Sequence, residues 1–396
     1  MIRVAIAMLT GDLAKYAGVL FGIAVTTFLT TLVGSMFAGM LSRTYALIDD
    51  NPSADVWVMD PACQTVTQPI NIPETAIDRV RSVAGVAEAT RLAVGSVSTR
   101  LPHGRFISVD VIGADDATLR GVPESVPREV AELLRSPDAV LADPAGTRAQ
   151  LVVPMDDADS WAGGAPRLEV LTRTMRDADE VMANNHSVRV RGVVAGAPRF
   201  NPQPVFYMTY SNASRILPPT RHRLTFVLVR ADQGQDPVLL ARDIERSTGL
   251  RARTAGEFRR DTVLWFFANA EFISHVGIMV TFAAVVGLAI TGLMLYMFTR
   301  ENARYYATLR AIGATPVRLM SMVVSQSLFA GAVGFGLGIG VCAIIGTLLA
   351  QGGFPFRILP ITPIAVGTLS LTVTTIAATL SAWAVLRIEP AMVFKS

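Results

Sequence analysis

Four stretches of this 396-residue chain are apolar for long enough to cross a lipid bilayer, and their spacing is uneven. A spanning helix needs about 20 apolar residues, because hydrocarbon offers backbone N–H and C=O groups no partner outside the helix itself. Residues 17–41, 272–299, 319–350 and 361–386 meet that requirement. A long polar stretch follows the first, whereas short connectors join the last three. The pattern predicts an integral membrane protein with four transmembrane helices and a large mixed α+β domain between helices 1 and 2. Composition agrees. At 51% hydrophobic and 17% charged, with mean hydropathy +0.43, the chain is too apolar for a soluble enzyme and too polar to be spans alone.

The first apolar run is about 25 residues long, beyond the 7–15 of a secretory h-region. It follows an amphipathic lead over 1–16 and reads as a retained anchor. Basic residues orient the spans by the positive-inside rule. Arg3 and Lys15 precede the first, Arg300, Arg304, Arg310 and Arg318 fall between the second and third, and Arg387 and Lys395 follow the fourth. The 351–360 turn holds only Arg357, and Asp49 and Asp50 come just after the first span. Both termini, the 300–318 loop and the 387–396 tail are therefore expected in the cytoplasm, and 42–262 outside.

Within 42–262, strands are expected at 54–60, 105–115, 167–172, 187–196, 204–210 and 224–232, where β-branched and aromatic runs lie between turn residues. Helices are expected over "IPETAIDRVRSVAGV" and "DPVLLARDIERSTGL" from their Pro and Gly punctuation. Residues 114–138 and 143–166, rich in Pro, Asp and Gly, read as loops. "AGEFRRDTVLWFFANAEF" is expected to run as a continuous stalk helix into the second span, over 263–299.

Several chemistries drop out. Lys15 and Lys395 are the only lysines and neither follows a glycine-rich loop, so there is no Walker A site and no cofactor is expected on this chain. A net charge of +3 gives no reason to expect nucleic acid. Cys63 and Cys342 sit in different environments, so no disulfide is expected, and four scattered histidines carry no metal-ligand spacing. The spans hold almost no ionisable residues, which argues against ion-coupled transport. Gly334 and Gly338, with the offset pair Gly336 and Gly340, form small-xxx-small faces, as do Gly18 and Gly22; such faces serve packing within the chain or a dimer interface. Glu271 and His275, four apart where the second span begins, form an interfacial pair or a substrate contact.

The 300–318 loop is the most specific feature. Residues 300–312 suit a short helix with Glu301, Tyr305 and Leu309 on one face and Arg304 and Thr308 beside them. Gly313 suits a left-handed stop, Thr315 a cap and Pro316 a first helical position. "ARYYATLRAIGATPVRLM" resembles the cytoplasmic loop of MacB/FtsX-like ABC transporter permeases. The tail "VLRIEPAMVFKS", the start "AMLTGDLAKYAGVLFGIAV" and "PETAIDRVRSVAGVAEAT" resemble other parts of that family, closest in style to its DevC-like and haem-exporter-like branch without a fused ATPase.

That resemblance implies a non-catalytic permease subunit in a bacterial inner membrane. It would work as a homodimer with two copies of a cytoplasmic ABC ATPase, which would carry ATP and Mg. The coupling helix would present Glu301, Arg304, Tyr305, Tyr306, Thr308, Leu309, Arg310, Gly313 and Thr315. Tyr305 stands where the family usually has Glu. A lipophilic or amphiphilic substrate, met from the membrane lipids, would be expelled, in Gram-negative members often with a periplasmic adaptor and an outer-membrane channel. An FtsX-like mechanotransmitter that regulates a periplasmic hydrolase is the alternative.

Overall fold

The computed structural model describes residues 13–102, 104–144, 151–154, 172–218 and 224–386. Residues 1–12 of the amphipathic lead, the 387–396 tail and almost all of the 167–172 run lie outside them. The chain divides into two units, one of residues 41–269 and one of residues 1–40 with 270–396. The elements come in this order. Helix α1 (Leu13–Thr44) and the short α2 (Ala46–Asp49) lead to β1 (Val56–Met59), α3 (Ala76–Arg81), β2 (Val86–Arg100) and β3 (Phe106–Ala114). Then come α4 (Arg128–Glu132), β4 (Ala139–Asp143), β5 (Val152–Pro154), β6 (Thr172–Thr174), β7 (Glu180–Ala183), β8 (His186–Val193) and β9 (Val205–Thr209). Helix α5 (Tyr210–Ile216), β10 (Phe226–Ala231), α6 (Pro237–Thr248), β11 (Arg251–Thr254) and α7 (Ala255–Asn269) complete the 41–269 unit. Last are α8 (Glu271–Glu301), α9 (Ala303–Ala311), α10 (Pro316–Gln351) and α11 (Ile361–Leu386).

Four strands and two helices of the 41–269 unit form a βαβ–βαβ layer. The strands lie in the order β11-β1-β10-β2, every neighbour antiparallel, which is the ferredoxin-like arrangement. Strand β1 shows why it holds. Val56 and Val58 face Ile77, Val80, Leu240 and Ile244 of α3 and α6, while Trp57 and Met59 face Leu47, Phe226 and Phe258 on the other side. Trp57 meets Phe226 edge-on at 5.4 Å between centroids. Helix α6 is set by local signals: the Asp236 carboxylate accepts from the Val238 N–H at 2.9 Å, Pro237 opens the helix, and Gly249 closes it at φ +69°.

The second half of β2 belongs to another body. Val86–Leu92 pair with β10, and Ala93–Arg100 pair with β3. From there the ladder runs β3-β9-β4-β8-β7 and returns to β2 through Thr99↔Ala183 and Arg100↔Met182. Six strands thus close a small barrel inserted between the halves of the ferredoxin-like layer. Residues 114–138, expected as loop, contain α4 and a 3-10 turn at Leu133–Arg135, and β5 falls within 143–166. The expected continuous stalk helix is interrupted: Ala270 between α7 and α8 is extended, φ −94° and ψ 117°.

Among the described residues, four helices are long and apolar enough to span a membrane, over Tyr16–Thr44, Ile273–Glu301, Pro316–Gln351 and Ile361–Thr379. Glycines let them approach. A Cβ on Gly334 would stand 2.8 Å from the Ile23 Cβ, and one on Gly338 2.6 Å from the Ala24 carbonyl oxygen. Gly22 faces Ile290 at 3.2 Å and Gly18 faces Met294 at 3.9 Å. All four glycines therefore pack against helices of the same chain, whereas Gly336 and Gly340 face open space. Gly338→Leu should cost about 3 kcal/mol by overpacking against backbone that cannot retreat. Gly336→Leu should change stability by less than about 0.5 kcal/mol. Thermal melts in detergent compare the two; equal melting points would mean that the α1–α10 approach is looser than this geometry.

Candidate functional site

The connector from the second to the third span is a helix with a fixed corner. Helix α8 ends at Glu301, and Asn302 leaves helical geometry with its side chain donating to the Phe298 carbonyl at 2.8 Å. Helix α9 then begins anew. Glu301 therefore belongs to the spanning helix and does not share a continuous face with Tyr305 and Leu309, as the sequence had suggested. At the far end, Gly313 takes φ +100°. The Gly313 N–H bonds to the Arg310 carbonyl at 3.1 Å and the Ala314 N–H to the Leu309 carbonyl at 3.0 Å, the paired bonds of a Schellman stop. Thr315 is extended and precedes Pro316 at the first turn of α10, but its side chain makes no capping hydrogen bond. The corner is held by backbone geometry and by Pro316.

Packing decides which face of α9 is offered outward. Tyr306 is 1% exposed and joins Leu319 and Val323 of α10, with Leu309 and Ala314 packed against them. The Tyr306 hydroxyl donates to Gln326 Oε1 at 2.9 Å, and burial pushes its phenol up to about 12, so it is a neutral donor at physiological pH. Tyr306 thus turns inward to the hinge that ties α9 to α10, and the half-buried Leu309 packs against it. Arg304, Tyr305, Thr308, Ile312 and Thr315 are exposed, and Arg310 is half-exposed. The Thr308 hydroxyl folds back onto the Arg304 carbonyl at 2.9 Å. Tyr305, Ile312 and Val317 are 63%, 79% and 77% exposed, and neither Ile312 nor Val317 stood out from the sequence. Tyr306→Phe should cost about 1–2 kcal/mol, because Gln326 loses its buried donor; an unchanged melting point would show that Gln326 finds another.

The other expected pair is also redrawn. His275 is exposed and its Nδ1 lies 3.0 Å from the backbone carbonyl of Glu271, a local helix contact rather than one with the Glu271 carboxylate. Among the described residues there is no group of three or more His, Cys, Asp or Glu placed to hold a metal.

The 41–269 unit contains a charged junction that no spacing could reveal. Asp49 and Asp50 follow the first span directly. Asp49 pairs with Arg259 of α7 at 2.6 Å, and the Arg259 guanidinium lies 5.3 Å from the Tyr45 ring centre. Asp50 pairs with Arg199 at 3.3 Å and accepts from the Ala197 N–H at 3.0 Å, while Arg199 reaches the Tyr207 hydroxyl at 3.3 Å. Burial raises the Asp50 carboxyl, with Arg199 and the Ala197 amide pulling it back. Burial also lifts the Tyr207 phenol far above its ordinary value, so it stays neutral. Two adjacent carboxylates thereby bind the residues leaving α1 to both the barrel and α7.

Residues 277–390, which include the helix and corner just described, match the family model "FtsX-like permease C-terminal". That segment is thus similar to the C-terminal part of FtsX-like permeases. No curated protein matches it. Among solved structures, the periplasmic region of MacB from Actinobacillus actinomycetemcomitans is similar at 10% identity and TM-score 0.35, covering 54% of this chain and 94% of that one. The extracellular domain of a noncanonic ABC-type transporter, YknZ, from Gram-positive bacteria is similar at 14% identity and TM-score 0.31, covering 51% and 98%.

Proposed function

We propose that this permease is the membrane subunit of an ABC-type export complex. Two copies would engage a separate cytoplasmic ATPase through the α9 corner, and the motion of that ATPase would reach the 41–269 domain and drive out a lipophilic or amphiphilic substrate. The observation that carries this reading is the corner itself. Exposed Tyr305, Ile312 and Val317 are held outward by a buried hinge, a Gly stop and a Pro start, so a push there turns α10 instead of bending a loop. ATP and Mg would be carried by that partner, a reading supported by the lack of a Walker-type Gly-Lys-Ser/Thr in this sequence. Both termini would lie in the cytoplasm, which the charge bias of the loops supports.

Reconstitution with the cognate ATPase in proteoliposomes tests the proposal. ATP hydrolysis stimulated by an amphiphile, with its ATP-dependent extrusion, is the expected result. Stimulation only by a periplasmic hydrolase or other protein, with no extrusion, would overturn export in favour of mechanotransmission.

A further inference from the structure

The 41–269 unit encloses a cavity of about 360 Å³, within the range of small-molecule sites. Its lining brings together two guanidinium side chains, Arg43 and Arg199, one carboxylate, Asp110, and the apolar side chains of Leu47, Val66 and Phe200. The charges ask for complementary groups. Arg199 Nε is buried without a hydrogen-bond partner, although the same guanidinium engages Asp50 and Tyr207. Asp110 accepts from the Ser96 hydroxyl and feels the Arg199 charge, yet burial still raises its carboxyl above the usual carboxylate range. Neither neighbour offsets its desolvation. A ligand that gave Asp110 an N–H donor and Arg199 an acceptor oxygen would answer both, and an apolar continuation would suit the remaining wall.

Position supplies the source. Arg43 and Thr44 are in the last turn of α1, whose apolar run of 29 residues begins at Tyr16. At 1.5 Å per residue that run is about 43 Å long, close to the roughly 40–45 Å of a bilayer with its headgroups. Arg43 and Thr44, which end that run, are therefore at headgroup depth. We propose that the cavity holds the headgroup of a phosphatidylethanolamine from the leaflet facing the 41–269 domain, with its ammonium on Asp110 and its phosphate on Arg43 and Arg199. A choline headgroup has no N–H to give Asp110, and a glycerol headgroup has no cation. The proposal needs the membrane topology but neither an ATPase nor export, so it stands or falls separately from the proposed function.

The full chain in nanodiscs of mixed phosphatidylethanolamine, phosphatidylcholine and phosphatidylglycerol, released into detergent and weighed by native mass spectrometry, provides the test. Retention of phosphatidylethanolamine over both other lipids is expected. Asp110→Asn, nearly isosteric, should lower that retention about tenfold, the loss of one charged hydrogen bond. Thr67→Trp, at an exposed position of the lining, should block it with every charge left in place. Equal retention of the three lipids, or wild-type retention by both variants, would overturn the proposal. Displacement by soluble O-phosphoethanolamine as readily as by short-chain phosphatidylethanolamine would also overturn it, by moving the ligand out of the membrane.

Discussion

A chain carrying Tyr305→Asp together with Ile312→Asp should insert and melt normally but bind the proposed ATPase partner about 100-fold more weakly. Both side chains are well exposed on the corner, so the folded chain loses little by the change. On docking, however, burying either apolar side chain would contribute about 1.5–3 kcal/mol. A carboxylate in its place must be desolvated without a partner. A net loss of about 3 kcal/mol corresponds to that 100-fold. Titration of the purified ATPase onto nanodisc-held permease reads it directly. Undiminished binding would mean that the ATPase grips another surface. Leu309→Asp is the informative contrast, because Leu309 packs into the hinge with Tyr306 and Leu319 and should lower the melting point as well as binding.

Arg199→Met is the second large effect, and it concerns stability. Arg199 and Asp50 retain only 12% and 5% of their side-chain exposure. Removing the guanidinium leaves the Asp50 carboxylate buried beside Tyr207 and close enough to Asp143 for that charge to raise it further. Breaking a buried pair from one side costs about 3–5 kcal/mol, or roughly 10 °C in melting temperature for a unit of this size. Asp50→Asn in the same chain should recover part of the loss, because the lone charge is then gone. The full-length protein melted in detergent gives both values. A double variant as unstable as the single one would show that the cost lies in lost packing, not in the orphaned carboxylate.

The junction around Asp50 also marks the reach of sequence reading. The partners of Asp50 lie 147 and 149 positions away, and no periodicity links residues at that separation. The closing of the barrel was equally hidden. Strand β2, with its Ala, Gly and Ser residues, has weak strand propensity of its own. It is a strand because β10, β3 and β7 supply ladder partners along its length. By contrast, α6 was readable in full, because Asp236, Pro237 and Gly249 act on their own backbone.

The α9 corner shows the same division within twenty residues. From the sequence alone came the four spans, the mixed domain between the first two, the helical connector and its stop at Gly313. Each rests on a local cause: apolar length against the bilayer, a left-handed residue, a proline at a first turn. Only the tertiary structure decided that Tyr306 turns inward to Gln326 while Tyr305 faces out, and that Glu301 belongs to the span before the break at Asn302. Two adjacent tyrosines have the same propensity and nearly the same hydrophobicity. What separates them is the surface that α10 presents to α9, and that exists only once both helices have packed.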